Sequence, residues 1–490
     1  MESMHDLEVL IESGRKLIVI ETEREGCFIE GFRRLANRSN KAYFQWTVTK
    51  GLLRLSEGYE HQTLNKDPDQ LFAQIQASNH AGVYVLVDFH HYLNDPTSIR
   101  HIKDVLINSP QQTLILLSQE IELPEELANK ATHYALPLPT IDNLKRMMND
   151  LAVEWMAEQN KKLEVASKTI LDQLLVGLCG LSSSDAERMA RHAIWNDGII
   201  DQNDIVEVAE RKFGLLNNNN VLNLELDYEE LDNIAGFDKL KDWLEVRRQV
   251  FSGEIKLPGG DKPKGLLLLG VQGCGKSLAA KAVAGSWQLP LLHLDFGTLY
   301  NRFYGQTEEN LRTALDIADK MQPCVLWLDE IEKGMSAVST SDDVSKRLLG
   351  TFLTWLAEKK TSVFVVATAN DVSKLPPELI RKGRFDEVFF VDLPKQNERE
   401  EILRIHFKRR NLSADSIDIK AIAEITENFS GAELEQVIVS SLYQTYSEKT
   451  PVTTELIIKL AQSTQPLSVL MAEKISAIQD WAKGRAVSVS

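Results

Sequence analysis

At 490 residues, with 43% hydrophobic side chains, the chain is long enough for two or three domains with sizeable cores. Its net charge of −16 is not confined to a tail, since residues 1–220 hold 32 acidic against 22 basic side chains, and nucleic acid, which needs a basic surface, is a poor partner for it. No apolar run reaches the roughly 18 residues of a membrane span, and the first residues have neither the basic flank nor the apolar stretch of a signal peptide. Cys27, Cys179, Cys274 and Cys324 are too scattered for a disulfide framework or a zinc site, so a reducing, cytoplasmic compartment is expected.

In chain order, the first apolar strand at 17–20 runs into Glu21-Thr22-Glu23-Arg24-Glu25, whose glutamates would repel a phosphate. Strand-like runs recur at 83–87, ending in Asp88, and at 113–118, ending in Ser118, and a helical stretch follows at about 161–216. His90-His91 is read as a pair of ordinary loop histidines, because no second cluster of ligand residues accompanies it. The polar run 217–220 is a linker signal.

The informative stretch is GVQGCGKS at 270–277, set between the apolar run 266–269 and a helical pattern opened by Leu278. The spacing G-x-x-x-x-G-K-[ST] is that of a P-loop. Gly270, Gly273 and Gly275, with Val271, Gln272 and Cys274 between them, let backbone N–H groups turn inward around an anion at a helix N-terminus. Lys276 would reach the β- and γ-phosphates of ATP, and Ser277 would ligate Mg²⁺. The next strand-like runs lie at 291–294, 324–328, 363–367 and 388–391 with helical stretches between most of them, which predicts a parallel α/β sheet. From 397 onward the pattern is almost wholly helical.

The run 325–328 ends in Asp329-Glu330, and in a chain with a P-loop these carboxylates become a metal ligand and a general base. Asn370 closes the following strand and could orient the attacking water; by itself it would be a strand-capping Asn. Arg381 and Arg384 are poorly placed for the chain's own phosphates. They make sense if they cross to a neighbour's nucleotide, which requires an oligomer; otherwise they form a solvated basic turn.

Asn233-Ile234-Ala235-Gly236, the P-loop, Asp329-Glu330, Asn370, Arg381/Arg384 and Ser430-Gly431-Ala432-Glu433 together, in this order, resemble the AAA ATPase module. That resemblance implies an ATP- and Mg²⁺-dependent ATPase that assembles as a homo-oligomer, a hexamer. Ile234, Ala235 and Gly236 would line the adenine site, Asn370 would be sensor 1, Arg381 and Arg384 paired arginine fingers, and Gly431 and Ala432 the lid contact to nucleotide. Ala235, Val271, Gln272 and Cys274 depart from the commoner pattern without touching the phosphate chemistry. The tail Gln465-Pro466-Leu467-Ser468 and the stretch 329–334 are most similar to the AAA proteins known as hypothetical chloroplast reading frames of algae and their bacterial relatives. The compartment would then be the chloroplast stroma for a plastid-encoded chain. Phe303, Tyr304 and Gly305 resemble the aromatic–hydrophobic–glycine loop that grips peptide in the pore of AAA unfoldases, the alternative being a core aromatic pair at a strand-to-helix junction.

The first half repeats the plan without its chemistry. The run ending in Asp88 parallels the Asp329 strand with Phe89 in place of the base, and Leu123-Pro124-Glu125-Glu126-Leu127 repeats the L-P-x-E-L of 375–379, placing Ser118 where Asn370 stands. The expected architecture is a degenerate AAA-like α/β domain (1–160), a small helical subdomain (161–216), a linker (217–229), an AAA large α/β subdomain (230–395) and a helical lid (396–490). The expected function is a ring ATPase that remodels or threads a protein substrate, the alternative being a nucleotide-driven switch or scaffold. No H-E-x-x-H occurs, so no zinc protease is fused to the module.

Overall fold

The computed structural model of the chain describes residues 2–22, 25–56, 65–134, 138–217, 221–252, 254–255, 257–259, 262–299, 306–334, 342–381, 383–412 and 417–490. They form two compact units, 1–140 with 182–188, and 141–181 with 189–490.

In the first unit, β1 (Leu17–Glu21), β2 (Ala42–Thr47), β3 (Gly51–Arg54), β4 (Gly82–Val87), β5 (Gln112–Ser118) and β6 (Thr132–Tyr134) build one sheet. Its order is β3-β2-β4-β5-β1-β6, and every pairing is parallel except β2 with β3. Alternation along β1 feeds both faces. Leu17 and Val19 join the core of the helices Pro68–Ala77 and Pro96–Asn108, while Ile18 and Ile20 join that of Glu2–Glu12 and Glu25–Ala36. Strands covered on both faces are continuous apolar runs, which is why β4 and β5 are legible in the sequence.

The second unit begins with the helices Ile141–Gln159, Lys168–Leu178 and Gln202–Leu216, the part of Ser183–Asp197 from residue 189 onward, and the short parallel pair β7 (Glu164–Val165) and β8 (Ile199–Ile200). The expected boundary at 160/161 moves back to about residue 140. The Trp155 ring covers Gly198 so closely that a Cβ there would meet it at 2.4 Å, and Glu154 is held by both terminal nitrogens of Arg191 at 3.0 and 2.9 Å.

A second sheet comprises β9 (Asn223–Glu225), β10 (Gly265–Gly270), β11 (Leu291–Asp295), β12 (Cys324–Asp329), β13 (Val363–Ala369), β14 (Glu387–Val391) and β15 (Val487–Ser488), in the order β15-β14-β10-β13-β12-β11-β9. Two expectations change. The linker 217–229 contains β9, antiparallel to β11, and Val221 and Leu222 beside it are core residues. The lid 396–490 is shorter: its own core runs from Leu403 to Ala461, whereas the helix Ala472–Ala482 packs on Phe390 of β14 and β15 pairs with β14. Short polar strands such as β9 and β15 carry too little apolar alternation to stand out. Stripped of additions, the two sheets share one strand order: β6-β1-β5-β4-β2 in the first and β14-β10-β13-β12-β11 in the second.

Candidate active site

The carboxyl ends of β10, β12 and β13, the helix Lys276–Trp287 and the lid enclose a cavity of about 400 Å³. In an open parallel sheet this edge is where ligands bind. β10 ends at Gly270, where a Cβ would meet the Val391 carbonyl oxygen at 1.9 Å, so only glycine lets the loop leave the sheet here. Gly275 has φ +92° at the helix N-cap, the left-handed conformation that turns the loop's N–H groups towards the cavity.

Lys276 is 6% exposed, and its Nζ donates to the carbonyls of Gly270 at 2.9 Å and Val271 at 2.8 Å. Burial pulls its ammonium down to about 8, partly offset by Cys274, Glu332, Asp329 and Glu330. An arriving phosphate would supply the charge partner this cation lacks. Cys274 is itself buried, which pushes its thiol up to about 12, and as a protonated thiol it is a packing residue. Gln272, Gly273, Cys274, Gly275, Lys276, Ser277 and Leu278 line the cavity, while Gly270 and Val271 act from beneath through the lysine.

Asp329 and Glu330 both line the cavity. Asp329 Oδ1 accepts from Thr368 Oγ1 at 2.6 Å, and the same hydroxyl accepts the Glu330 N–H at 3.0 Å. Glu330 sits at φ +48°, a left-handed turn uncommon for a non-glycine residue, which turns its side chain out of the strand's alternation. Asn370 Nδ2 donates to Glu330 Oε1 at 2.8 Å, and Lys333 pairs with Glu330 Oε2.

Ile234 and Ala235 also line the cavity, with Gly236 turning the chain at φ +73° outside the lining. Opposite stands the lid. Ser430 caps the helix Gly431–Glu448 in a reciprocal box with Glu433, aiming the first turn with Gly431 and Ala432 at the cavity. The Ala432 N–H donates to the Gly273 carbonyl at 3.0 Å, so lid and P-loop touch directly.

Sequence reasoning missed Thr368 and one face of the lid helix Gln396–Arg409, from which Ile402, Ile405, His406 and Arg409 line the cavity. The signal was present as i, i+3, i+4, i+7 spacing. Burial pushes the His406 imidazole below its ordinary value, against the pull of Glu435, which favours the neutral ring. Arg381 and Arg384 do not line the cavity. Arg381 is exposed, and Arg384 is half-buried with its guanidinium donating to the Leu353 carbonyl, so the two are not equivalent. Phe303, Tyr304 and Gly305 lie outside the described residues.

The same edge of the first unit holds a cavity of about 800 Å³ lined by Thr22, Glu25, Asp88, His90, His91, Asn94, Ser118, Glu120 and Glu122, among others. Asp88 follows β4 at φ +55°, as Glu330 follows β12 at φ +48°. Asp88 thus shares the left-handed turn of Glu330, while its bond from a hydroxyl on the neighbouring strand resembles that of Asp329. Ser118 Oγ donates to Asp88 Oδ1 at 3.2 Å and lies 2.7 Å from His90 Nδ1. Among the described residues, no group of three His, Cys, Asp or Glu side chains is arranged to hold a metal ion.

A P-loop on β10, carboxylates closing β12, an asparagine closing β13 and a helical lid define an AAA ATPase, and comparison with known proteins agrees. Residues 266–393 match the family model for ATPases associated with various cellular activities (AAA), and 3–136 and 142–219 match the N-terminal and second domains of SpoVK-like AAA ATPases. The chain belongs to the AAA ATPase family and hydrolyses ATP. Over its whole length it is similar to the AAA domain-containing protein ycf46 of Pyropia yezoensis, 34% identical over 498 aligned residues that cover 100% of each chain. The ATPase half is also similar to the proteasome-activating nucleotidase of Aeropyrum pernix, 36% identical over 193 residues that are 38% of this chain and 46% of that one. The ATP-dependent zinc metalloprotease FtsH of Aquifex aeolicus is 31% identical over 215 residues, 42% of this chain and 34% of the other.

Proposed function

We propose that the protein is a Mg²⁺-dependent ring ATPase, a homo-hexamer, that remodels or threads a protein substrate through its central pore. The observation that carries this reading is an incomplete site: phosphate loop, carboxylates and asparagine converge on one cavity, while Arg381 and Arg384 stay outside it. A neighbouring subunit's arginines would complete it, stabilising charge on the γ-phosphate.

In this reading the P-loop N–H groups and Lys276 hold the β- and γ-phosphates, and Ser277 and Asp329 hold Mg²⁺, which neutralises phosphate charge when bound. The donor set fits such an ion, because a hydroxyl and a carboxylate at the end of a P-loop are hard oxygen ligands. Glu330 takes a proton from the water whose oxygen bonds the γ-phosphorus as the bond to the ADP oxygen breaks, and Asn370 orients Glu330. Phe303 and Tyr304 would grip the substrate. One relative is a proteasome-activating nucleotidase and another an ATP-dependent metalloprotease, and work on proteins comes from them to this chain as a proposal. The full-length algal relative suggests the chloroplast stroma for a plastid-encoded copy and the cytoplasm otherwise; among the described residues no helix is long and apolar enough to cross a membrane.

The test is subunit mixing. Lys276→Ala has intact arginines and no working site, and Arg381→Ala has the reverse. Each alone should lack hydrolysis, Arg381→Ala by a factor on the order of 10³ with ATP binding kept, and exchanging mixtures should recover part of the activity. Mixtures that exchange without recovery would reject arginines acting across an interface. Phe303→Ala should keep basal hydrolysis but release no protein substrate; unimpaired work in that variant would favour the switch reading.

A further inference from the structure

The short helix Ile331–Gly334 places one more carboxylate behind the Asp329–Glu330 turn, and the chemistry above leaves it unused. Glu332 is 5% exposed and does not line the nucleotide cavity. Its Oε1 accepts the backbone N–H of Asn370 at 2.9 Å, whereas its Oε2 is buried without a hydrogen-bond partner. A buried carboxylate with one bonded oxygen is costly, and a structural acceptor could be a neutral amide at less expense. Burial pushes the Glu332 carboxyl up, opposed by the Asn370 N–H and by the charge of Lys276.

We propose that Glu332 is a positioning residue for hydrolysis: by accepting the Asn370 N–H it sets where the Asn370 carboxamide stands, and so how the Glu330 carboxylate faces the attacking water. Glu332 grips the Asn370 backbone, and the Asn370 side chain grips Glu330 Oε1 at 2.8 Å. The Glu330 backbone is separately fixed by Thr368, and the exposed Lys333 pairs with Oε2, so the hold on the carboxylate from inside the site is that of Asn370 on Oε1. Side chains that must aim a water tolerate little displacement: a shift of about 1 Å in a reacting arrangement can cost a factor of about 10² in rate. Glu332 acts at one remove, touching neither nucleotide nor water.

This inference rests on Glu330 as the base, so Glu330→Gln is measured beside the Glu332 variants in the full chain. Glu332→Ala and Glu332→Met, the second of which fills the volume without supplying an acceptor, should lower kcat by about 10- to 100-fold, with the KM and calorimetric affinity for ATP within about threefold of wild type. Glu332→Gln keeps an acceptor oxygen and should recover at least about fivefold of that loss, a rescue that a role in charge alone does not predict. A folded Ala or Met variant with kcat within twofold of wild type overturns the inference. So do Gln and Met variants that are equally slow, or a loss of ATP affinity parallel to the loss of kcat, which would make Glu332 part of the binding fold. Normal turnover by Glu330→Gln removes the base assignment and the inference together. A slow Glu330→Gln beside a fast Glu332→Ala removes the inference alone.

Discussion

The two sheets have one strand order, but the carboxyl ends of their strands carry different chemistry. Each presents a left-handed acidic residue after its fourth strand in that order, Asp88 or Glu330, and each engages that carboxylate from the neighbouring strand's end, through Ser118 or Asn370. What differs is the loop after the first strand. β10 leads into glycines, Lys276 and a helix N-terminus aimed at the cavity, whereas the cavity beyond β1 is lined by Glu25, Asp88, Glu120 and Glu122 and by no described lysine or arginine. The sheet supplies an edge, and one loop decides whether that edge takes a polyphosphate. β4 ends in Val87 before a single carboxylate, Asp88, where β12 leads into the pair Asp329-Glu330.

The comparison breaks most directly on stoichiometry. Calorimetry on the wild-type chain should give one ATP per chain, and Lys276→Ala should bind none, since of the two described cations that line the cavity, Lys276 and Arg409, the one on the P-loop is gone. A second ATP per chain, or ATP retained by Lys276→Ala, would mean that the acidic edge binds nucleotide after all.

The two equivalent carboxylates separate next. Glu330→Gln should bind ATP and lose turnover by about 10² to 10⁴, the range for removing a general base, while Asp88→Asn should leave turnover within about twofold. Equal losses in steady-state assays would make the first edge part of the catalytic machinery.

A smaller effect follows from the lysine that only one edge has. Burial holds Lys276 at about 8 before nucleotide arrives, and the phosphates hold it charged afterwards. The bound state then has the higher pKa, so binding takes up a proton above pH 8 and affinity falls as pH rises. Between pH 7 and 9 the dissociation constant should weaken by about tenfold, with proton uptake visible as a dependence of the binding heat on the buffer. A flat affinity over that range would show that Lys276 is fully charged before ATP binds.

Much of the ATPase edge was legible because its chemistry is local. A P-loop must hold its glycines, lysine and hydroxyl within one turn between a strand and a helix, and the carboxylates must stand where an apolar strand stops. The features that escaped depend on packing between distant segments. His406 and Arg409 become cavity residues only when the lid folds over the P-loop, and Thr368 looked like one polar residue in a buried strand until it bridged Asp329 and Glu330. The boundary at 160 failed because Ile141–Gln159 is amphipathic on its own and shows its allegiance only through Trp155 over Gly198. Asp88 matches Asp329 by letter and by its hydroxyl partner, whereas its backbone φ, which a sequence does not display, is that of Glu330.

The smallest effect sharpens the comparison furthest, because it separates two side chains that do the same geometric job. Ser118 is 4% exposed and bridges Asp88 and His90, as Asn370 holds Glu330. If the first edge is purely structural, Ser118→Ala should cost about 0.5–1.5 kcal/mol of stability, the net worth of a hydrogen bond whose partners, exposed Asp88 and half-buried His90, can turn to water, and it should not alter ATP turnover. Asn370→Ala should do the reverse, lowering turnover by about tenfold or more through a misdirected Glu330, with little change in unfolding. Urea denaturation and steady-state hydrolysis on the two variants provide the four measurements. The reading stands if stability and turnover dissociate in this crossed way. It falls if Ser118→Ala slows hydrolysis at unchanged stability, because the degenerate edge would then be coupled to the working one.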